Sequence, residues 1–405
     1  MVVENELKMN NQSISIKAFR LLVVVVWTQY TILNFVVEIV KRMPFINILS
    51  DYVMTIVVVA LALLSLPWMI KKMRAADVIF YLVCATIVLG TMLLVYANSM
   101  YIKEEAWRIL GTVVPLFFIG VSYSHEISKK DLFWSSLFGT IVVFAYQIYS
   151  LSLGRELEND NMYAAYNVLP SVMYLIYWAL EHKKLKFWLV GVASVIMIFL
   201  FGTRGPVLAS LVFLLIGIFF YIIMQKSQLA RVFYLVVFVV VIIIVSSQDF
   251  LLNAAEFLSE KFEDIGFSTR VFDRFIEGEI AESKGRETLY SQIIIAIKER
   301  PILGYGLMGD RPIIGFYVHN LFLELWCHFG VILGSVIILA IICIPVVALI
   351  KVRKSDEFGF VLMLSCLVFT KLMFSGSYIF EPYLFLLLGI SVSLIRNKAN
   401  NRNIL

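Results

Sequence analysis

Apolar residues in this chain come in long unbroken runs, and the polar segments between them are short and often basic. Runs able to cross a bilayer lie at about 19–37, 52–70, 78–97, 107–123, 132–153, 163–180, 187–201, 206–224, 232–247, 318–350, 357–374 and 380–395. A spanning helix needs roughly 20 apolar residues, somewhat fewer where partners or tilt help. Backbone amides cannot go unpaired in hydrocarbon, so each run is expected to be helical. The all-round apolar pattern excludes a transmembrane barrel. The fold class that follows is all-α, a polytopic membrane helix bundle of about 12 transmembrane helices.

One segment, about 248–316, is long enough to fold outside the bilayer. Within it Leu251, Leu252, Ala255, Leu258, Phe262 and Ile265 share one helical face. A second piece, Thr288 to Lys298, has helical length and stops before Pro301. Both read as interfacial helices in a long extracytoplasmic loop. The chain thus divides into N-terminal membrane helices (1–247), this loop (248–316) and C-terminal membrane helices (317–405), as a single integral membrane domain.

Composition agrees. Hydrophobic residues make up 61% of the 405, charged residues 16%, and the mean hydropathy is +0.89; soluble domains carry about a quarter charged residues. The net charge of +5 does not point to nucleic acid, because the basic residues sit in short loops between apolar runs. With the N-terminus taken as cytoplasmic, the inner segments hold 19 Lys and Arg and the short outer ones six. That asymmetry predicts both termini in the cytoplasm, in a cytoplasmic (inner) membrane. Cys84, Cys327, Cys343 and Cys366 all fall inside apolar runs, and no CxxC or Cys/His pair suggests a metal. The first apolar run is followed by Lys41-Arg42-Met43-Pro44 and reads as a retained helix.

Charges at membrane depth cost about 2.5–3.5 kcal/mol on insertion scales, so those present need a reason. Arg204, Glu324, Lys371 and Glu381 all fall near the outer headgroups in the expected topology. Lys371 serves either in an ion pair with Glu324 or Glu381 or in substrate binding. His319-Asn320 stands where the outer loop enters a helix. Its imidazole can take a proton from a hydroxyl at neutral pH, or simply cap or pack the helix. The amides of Gly304-Tyr305-Gly306-Leu307-Met308-Gly309 either approach a phosphate or form a plain turn. Gly330 and Gly334 form a GxxxG that close helix packing explains. No Walker A loop, DxD or HExxH is present, and no cofactor or metal is expected.

Several outer segments resemble the O-antigen polymerase and O-antigen ligase superfamily. They are Gly285-Arg286-Glu287, then Glu299-Arg300-Pro301-Ile302-Leu303-Gly304-Tyr305-Gly306, then Val318-His319-Asn320-Leu321-Phe322-Leu323-Glu324 on to Gly330. Thr203-Arg204-Gly205 is similar to that family's Ser-Arg-Gly, and Phe374-Ser375-Gly376-Ser377 to Glu381 is similar to its late outer loop. The resemblance runs over about 200–395. Two departures stand out. The ligase pattern meets Leu333 at its last place, with Gly334 one residue late, and an Arg-x10-Gly polymerase pattern meets Leu215.

The resemblance implies glycosyl transfer from an undecaprenyl-pyrophosphate-linked oligosaccharide. It implies a leaving diphosphate stabilised by Arg204 and Arg286, with Arg270, Arg274, Arg300 and Arg311 in reserve, and deprotonation of the acceptor by His319. Asn320 and Glu324, one turn apart, would orient sugar hydroxyls, with Lys371 and Glu381 beside them. A polymerase of lipid-linked repeat units is the leading reading and a polysaccharide ligase the nearest alternative. A flippase for the same lipid-linked sugars is the alternative from another class. A chain-length regulator and a flippase are the implied protein partners.

Overall fold

The computed structural model describes residues 2–28, 50–123, 129–152, 158–200, 204–224, 248–264 and 284–402, with isolated positions between 227 and 239 and at 269, 272 and 276. All regular structure among the described residues is helical. Most of the expected span 232–247, much of 19–37, and Arg270 and Arg274 lie outside them, as do the side chains of Arg204 and Arg286.

Four helices or parts of helices are long and apolar enough to cross a membrane by length and composition: Ala75–Leu94, Gly205–Ile223, Leu321–Val352 and Glu357–Phe374. Leu185–Ile198 and Pro382–Asn397 are apolar but shorter. Further helices coincide with expected runs at Ser50–Lys72, Lys129–Ser152 and Glu158–His182. A dozen spans are thus not reached among the described residues. The expected helix 107–123 is interrupted. The Tyr96–Arg108 helix passes into a π-helical turn over Ile109–Val113, and a short helix, Leu116–Val121, begins after Pro115. Proline lacks the amide that an uninterrupted ladder would need there.

The chain falls into two compact units, one of residues 1–67 and 127–282, the other of 68–126 and 283–405. In the first, the Glu158–His182 helix is central. Every residue from Val168 to Leu180 is buried, as expected of a helix apolar on all sides. Tyr174 on it and Trp27 beside it have partners for their polar tips, while the Trp178 indole N–H has no hydrogen-bond partner among the described residues. Tyr174 donates to the Lys129 carbonyl at 2.9 Å and meets Trp27 edge-on, and the Trp27 indole donates to Ser136 Oγ at 3.0 Å.

In the second unit the Leu116–Val121 helix crosses Pro382–Arg402 at two glycines. A Cβ on Gly120 would lie 2.8 Å from the Ile390 amide, and one on Gly389 would lie 2.8 Å from the Val121 amide. Only small residues let helix backbones approach so closely. Lys284–Glu299 packs through Ile293 and Ile297 onto Val318 and Cys327. That contact anchors the segment carrying His319.

Candidate active site

The site grows from an interrupted helix in the second unit. Leu321–Val352 contains one non-helical residue, Gly330, at φ 74°, ψ 170°. Interrupting the ladder there strands hydrogen-bonding groups that the turn 301–306 recovers. Val331 N–H donates to the Pro301 carbonyl at 2.7 Å, while Tyr305 and Gly306 N–H donate to the carbonyls of Cys327 and His328, both at 2.8 Å. The amides of Tyr305 and Gly306 are therefore engaged within the fold as a turn. Gly334 packs against the Leu325 carbonyl and Trp326 of its own interrupted helix, so the GxxxG expectation of helix–helix packing is corrected: its first glycine makes the interruption and its second lines it. Asn98 secures the same turn by donating to the carbonyls of Tyr305 (2.8 Å) and Leu307 (2.9 Å).

Inside this turn–helix clamp lies a buried polar network. His328 Nε2 is 2.8 Å from Asp310 Oδ1, and its Nδ1 is 2.8 Å from the Tyr378 hydroxyl. A carboxylate only accepts, so Nε2 carries a proton and donates to Asp310, while Nδ1 and the tyrosine hydroxyl share the second hydrogen bond. Arg311 pairs with Asp310 and reaches Glu324 at 3.4 Å. Glu324 accepts from the Ser377 hydroxyl and from Tyr378 N–H at 3.2 Å; Asp310 Oδ2 accepts from Val318 N–H at 3.1 Å. Burial pushes the Asp310 carboxyl up, but the neighbouring His328 and Arg311 outweigh it and hold it below the usual value. Burial, reinforced by Glu324 and Asp310, pushes the Tyr378 hydroxyl well up, so it stays protonated. Asp310, Glu324 and His328 could offer metal-ligand atoms within 4.8 Å of one another, but Arg311 already bridges the two carboxylates.

This network supports the segment that presents His319. The residue sits at φ +56°, in the left-handed region where an ordinary side chain costs about 1–3 kcal/mol. The next residue, Asn320, is the N-cap, its side-chain oxygen accepting from Phe322 N–H (3.0 Å) and Leu323 N–H (3.2 Å). His319 Nδ1 is 3.2 Å from the Ser375 carbonyl, and its ring centroid is 4.2 Å from that of Tyr317. A carbonyl only accepts, so Nδ1 carries the proton and Nε2 becomes the basic nitrogen. The 375–381 loop thus meets the His-Asn segment twice: Ser375 orients the imidazole, and Ser377 with Tyr378 holds Glu324.

The other expected residues divide clearly. Lys371 pairs with Glu381 at 2.8 Å, the ion-pair alternative foreseen for it. Arg311 and Glu324 are buried and committed to each other, Asp310 and Ser377. Arg300 stacks over Tyr305, 4.7 Å from the ring centroid. Arg204 opens the Arg204–Met224 helix of the first unit; Arg286 lies in the first turn of Lys284–Glu299 in the second.

The sequence reading did not assign Asp310, His328, Ser377, Tyr378 or Arg108 to the site. A histidine in an apolar run and an Asp-Arg pair just before one were the available signals. Arg108 lies 4.9 Å from the Phe380 ring centroid, and Arg311 approaches the same ring at 5.7 Å. Arg311 is neutralised, whereas the Arg108 side chain is 59% exposed, with Glu105 at 3.6 Å.

Comparison with known proteins then points one way. Residues 189–338 match the family model described as O-Antigen ligase. The matched stretch carries Arg204, Arg286, the 301–306 turn, Asp310, His319 and His328, and leaves Arg108, Lys371 and the 375–381 loop outside. The chain is also 23% identical over 326 residues to the "ComP-specific O-oligosaccharyltransferase" of Acinetobacter baylyi, covering 76% of this chain and 54% of the relative. It therefore spans about half the length of the curated relative it matches. Both findings support the O-antigen ligase and polymerase superfamily and, with the apolar helices, a multipass membrane protein. No solved structure matches.

Proposed function

We propose that the protein is a membrane glycosyltransferase that moves a glycan from a polyprenyl-diphosphate carrier to an acceptor hydroxyl. The arrangement at His319 carries this reading. An imidazole whose Nδ1–H is tied to the Ser375 carbonyl presents Nε2 as a general base. Nε2 takes the proton from the acceptor O–H as that oxygen attacks the anomeric carbon. The bond from that carbon to the phosphate oxygen breaks, and its electron pair leaves with the polyprenyl diphosphate. Guanidinium groups stabilise the developing charge; Arg204 and Arg286 are assigned to this role, with Arg108 as a further cation beside the site.

Ligase-type transfer is favoured, because the matched family and the Acinetobacter relative are both named for transfer of a glycan to another molecule. Polymerisation of repeat units is the second reading, favoured by the departure from the ligase pattern at Leu333. In that case the acceptor is the outer sugar of a second lipid-linked unit. The donor is undecaprenyl pyrophosphate-linked in either case, and the membrane is the bacterial inner one, with the site on its outer side.

The test is transfer from a lipid-diphosphate glycan by the full chain in nanodiscs. His319→Ala should lose about 10²–10⁴-fold in kcat, and Arg204→Ala and Arg286→Ala should weaken transfer. Longer lipid-linked products from one substrate alone would mark a polymerase; products needing a second acceptor, a ligase. Wild-type rates from His319→Ala would overturn the mechanism.

A further inference from the structure

At the opposite end of the second unit lies a small cleft of about 70 Å³, lined by Lys72, Arg74, Tyr123, Ser393, Arg396 and Asn397 among others. Arg396 is 15 residues beyond Glu381 along the Pro382–Arg402 helix, about 22 Å from the His319 end at 1.5 Å per residue. The cleft therefore belongs to different chemistry.

Its charges are unequally balanced. Arg396 grips Asp77 with two bonds of 2.7 Å, and Asp77 also accepts the Arg74 amide at 2.8 Å. One cation is thereby neutralised by one buried carboxylate. Lys72 and Arg74 are exposed and have no acidic partner among the described residues, although Lys72 Nζ sits 4.7 Å from the Trp68 ring centroid. Buried hydroxyls at the same end, Ser122 and Ser391, have no hydrogen-bond partner among the described residues. The surroundings are apolar and outward-facing. Ile70, Val78 and Ile79, each within about a turn of the two cations, are all exposed. Two cations facing a cleft, with no acidic partner among the described residues and bordered by exposed aliphatic surface at the ends of membrane helices, match a molecule with an anionic head and hydrocarbon tails.

We propose that this cleft binds the phosphate of an anionic phospholipid, with Lys72 and Arg74 on the phosphate and the acyl chains against Ile70, Val78 and Ile79. The Arg396–Asp77 pair is the rigid floor. By the distribution of basic residues the lipid belongs to the cytoplasmic leaflet, and it holds the helix ends that lie opposite the catalytic face.

The test uses the full chain purified in a neutral detergent. Phosphatidylglycerol, phosphatidylcholine and inorganic phosphate are titrated separately, with bound lipid counted by native mass spectrometry and stability followed by thermal unfolding. Phosphatidylglycerol should bind saturably and raise the unfolding temperature; phosphatidylcholine and inorganic phosphate should not. The double variant Lys72→Gln/Arg74→Gln should weaken phosphatidylglycerol binding at least tenfold. The charge-matched double variant Arg353→Gln/Lys354→Gln, outside the cleft, should bind as wild type does. Equal weakening in the two double variants would reduce the effect to general surface charge and overturn the site. An equal response to inorganic phosphate would overturn the lipid, and wild-type binding by Lys72→Gln/Arg74→Gln would overturn both. Arg396 is left intact because removing it would strand Asp77.

Discussion

Replacing Gly330 by alanine probes the turn–helix clamp most directly. At φ 74°, ψ 170° the residue occupies a region essentially reserved for glycine, and a side chain there costs about 1–3 kcal/mol in backbone strain alone. The added Cβ would also overlap the Ile302 carbonyl and come within 2.8 Å of the Pro301 oxygen. Those neighbours are backbone, which cannot swing aside as a side-chain tip can, so relief of the overlap adds about 1–3 kcal/mol. If the turn moves away instead, three backbone hydrogen bonds across the clamp are lost, at about 1 kcal/mol each. The first route gives about 2–6 kcal/mol and the second about 4–6 kcal/mol. Gly315→Ala is the control: its φ is +83°, but nothing lies within 4 Å of the Cβ position, so it registers only the backbone cost of about 1–2 kcal/mol. Both variants would be unfolded by increasing SDS in mixed micelles and followed by tryptophan fluorescence. Equal losses in Gly330→Ala and Gly315→Ala would refute the packed clamp.

Three further outcomes are expected. Asp310→Ala removes the carboxylate shared by Arg311 and His328 and should cost about 3–5 kcal/mol, measured by the same unfolding; a loss under about 1 kcal/mol would contradict the network. Acid should weaken the protein through the same residue. Because the folded-state pKa of Asp310 lies below the ordinary 3.8, its contribution is fully present above that value and fades as pH falls through the lowered one. Asp310→Asn should lack that part of the acid dependence. Arg108→Ala, at an exposed position, should fold normally and raise the KM for a lipid-diphosphate donor about tenfold, the size of one charge-assisted contact of about 1.4 kcal/mol. An unchanged KM would exclude Arg108 from donor binding.

How far the sequence could be read depended on the range of the interaction. Apolar runs located helices within a few residues, as at Glu357–Phe374, because burial in lipid imposes one pattern on every spanning segment. The position of His319-Asn320 at a helix start was legible because an N-cap is a local device. The Lys371–Glu381 pair was legible as one of two alternatives, since the two residues lie at the adjoining ends of successive helices. The network around Asp310 was not, because it joins positions 310, 311, 324, 328, 377 and 378 through contacts that no periodicity reports. Gly330 was misread for a different reason: a Gly-x-x-x-Gly spacing suits close helix packing as well as it suits an interruption, and only the backbone angle separates them. The π-helical turn before Pro115 was likewise hidden within a run whose hydrophobicity is uninterrupted.

The interruption at Gly330 also resolves a mismatch of scale. A straight helix of 32 residues would be about 48 Å long, well beyond a hydrocarbon slab of about 30 Å. From Val331 to Val352 the rod measures about 33 Å, a fair match to the slab. The preceding nine residues, with Glu324 and His328 on them, are left over. The ionisable groups can therefore remain at the aqueous margin while the rest of the rod is solvated by lipid, and one glycine marks where the two environments meet.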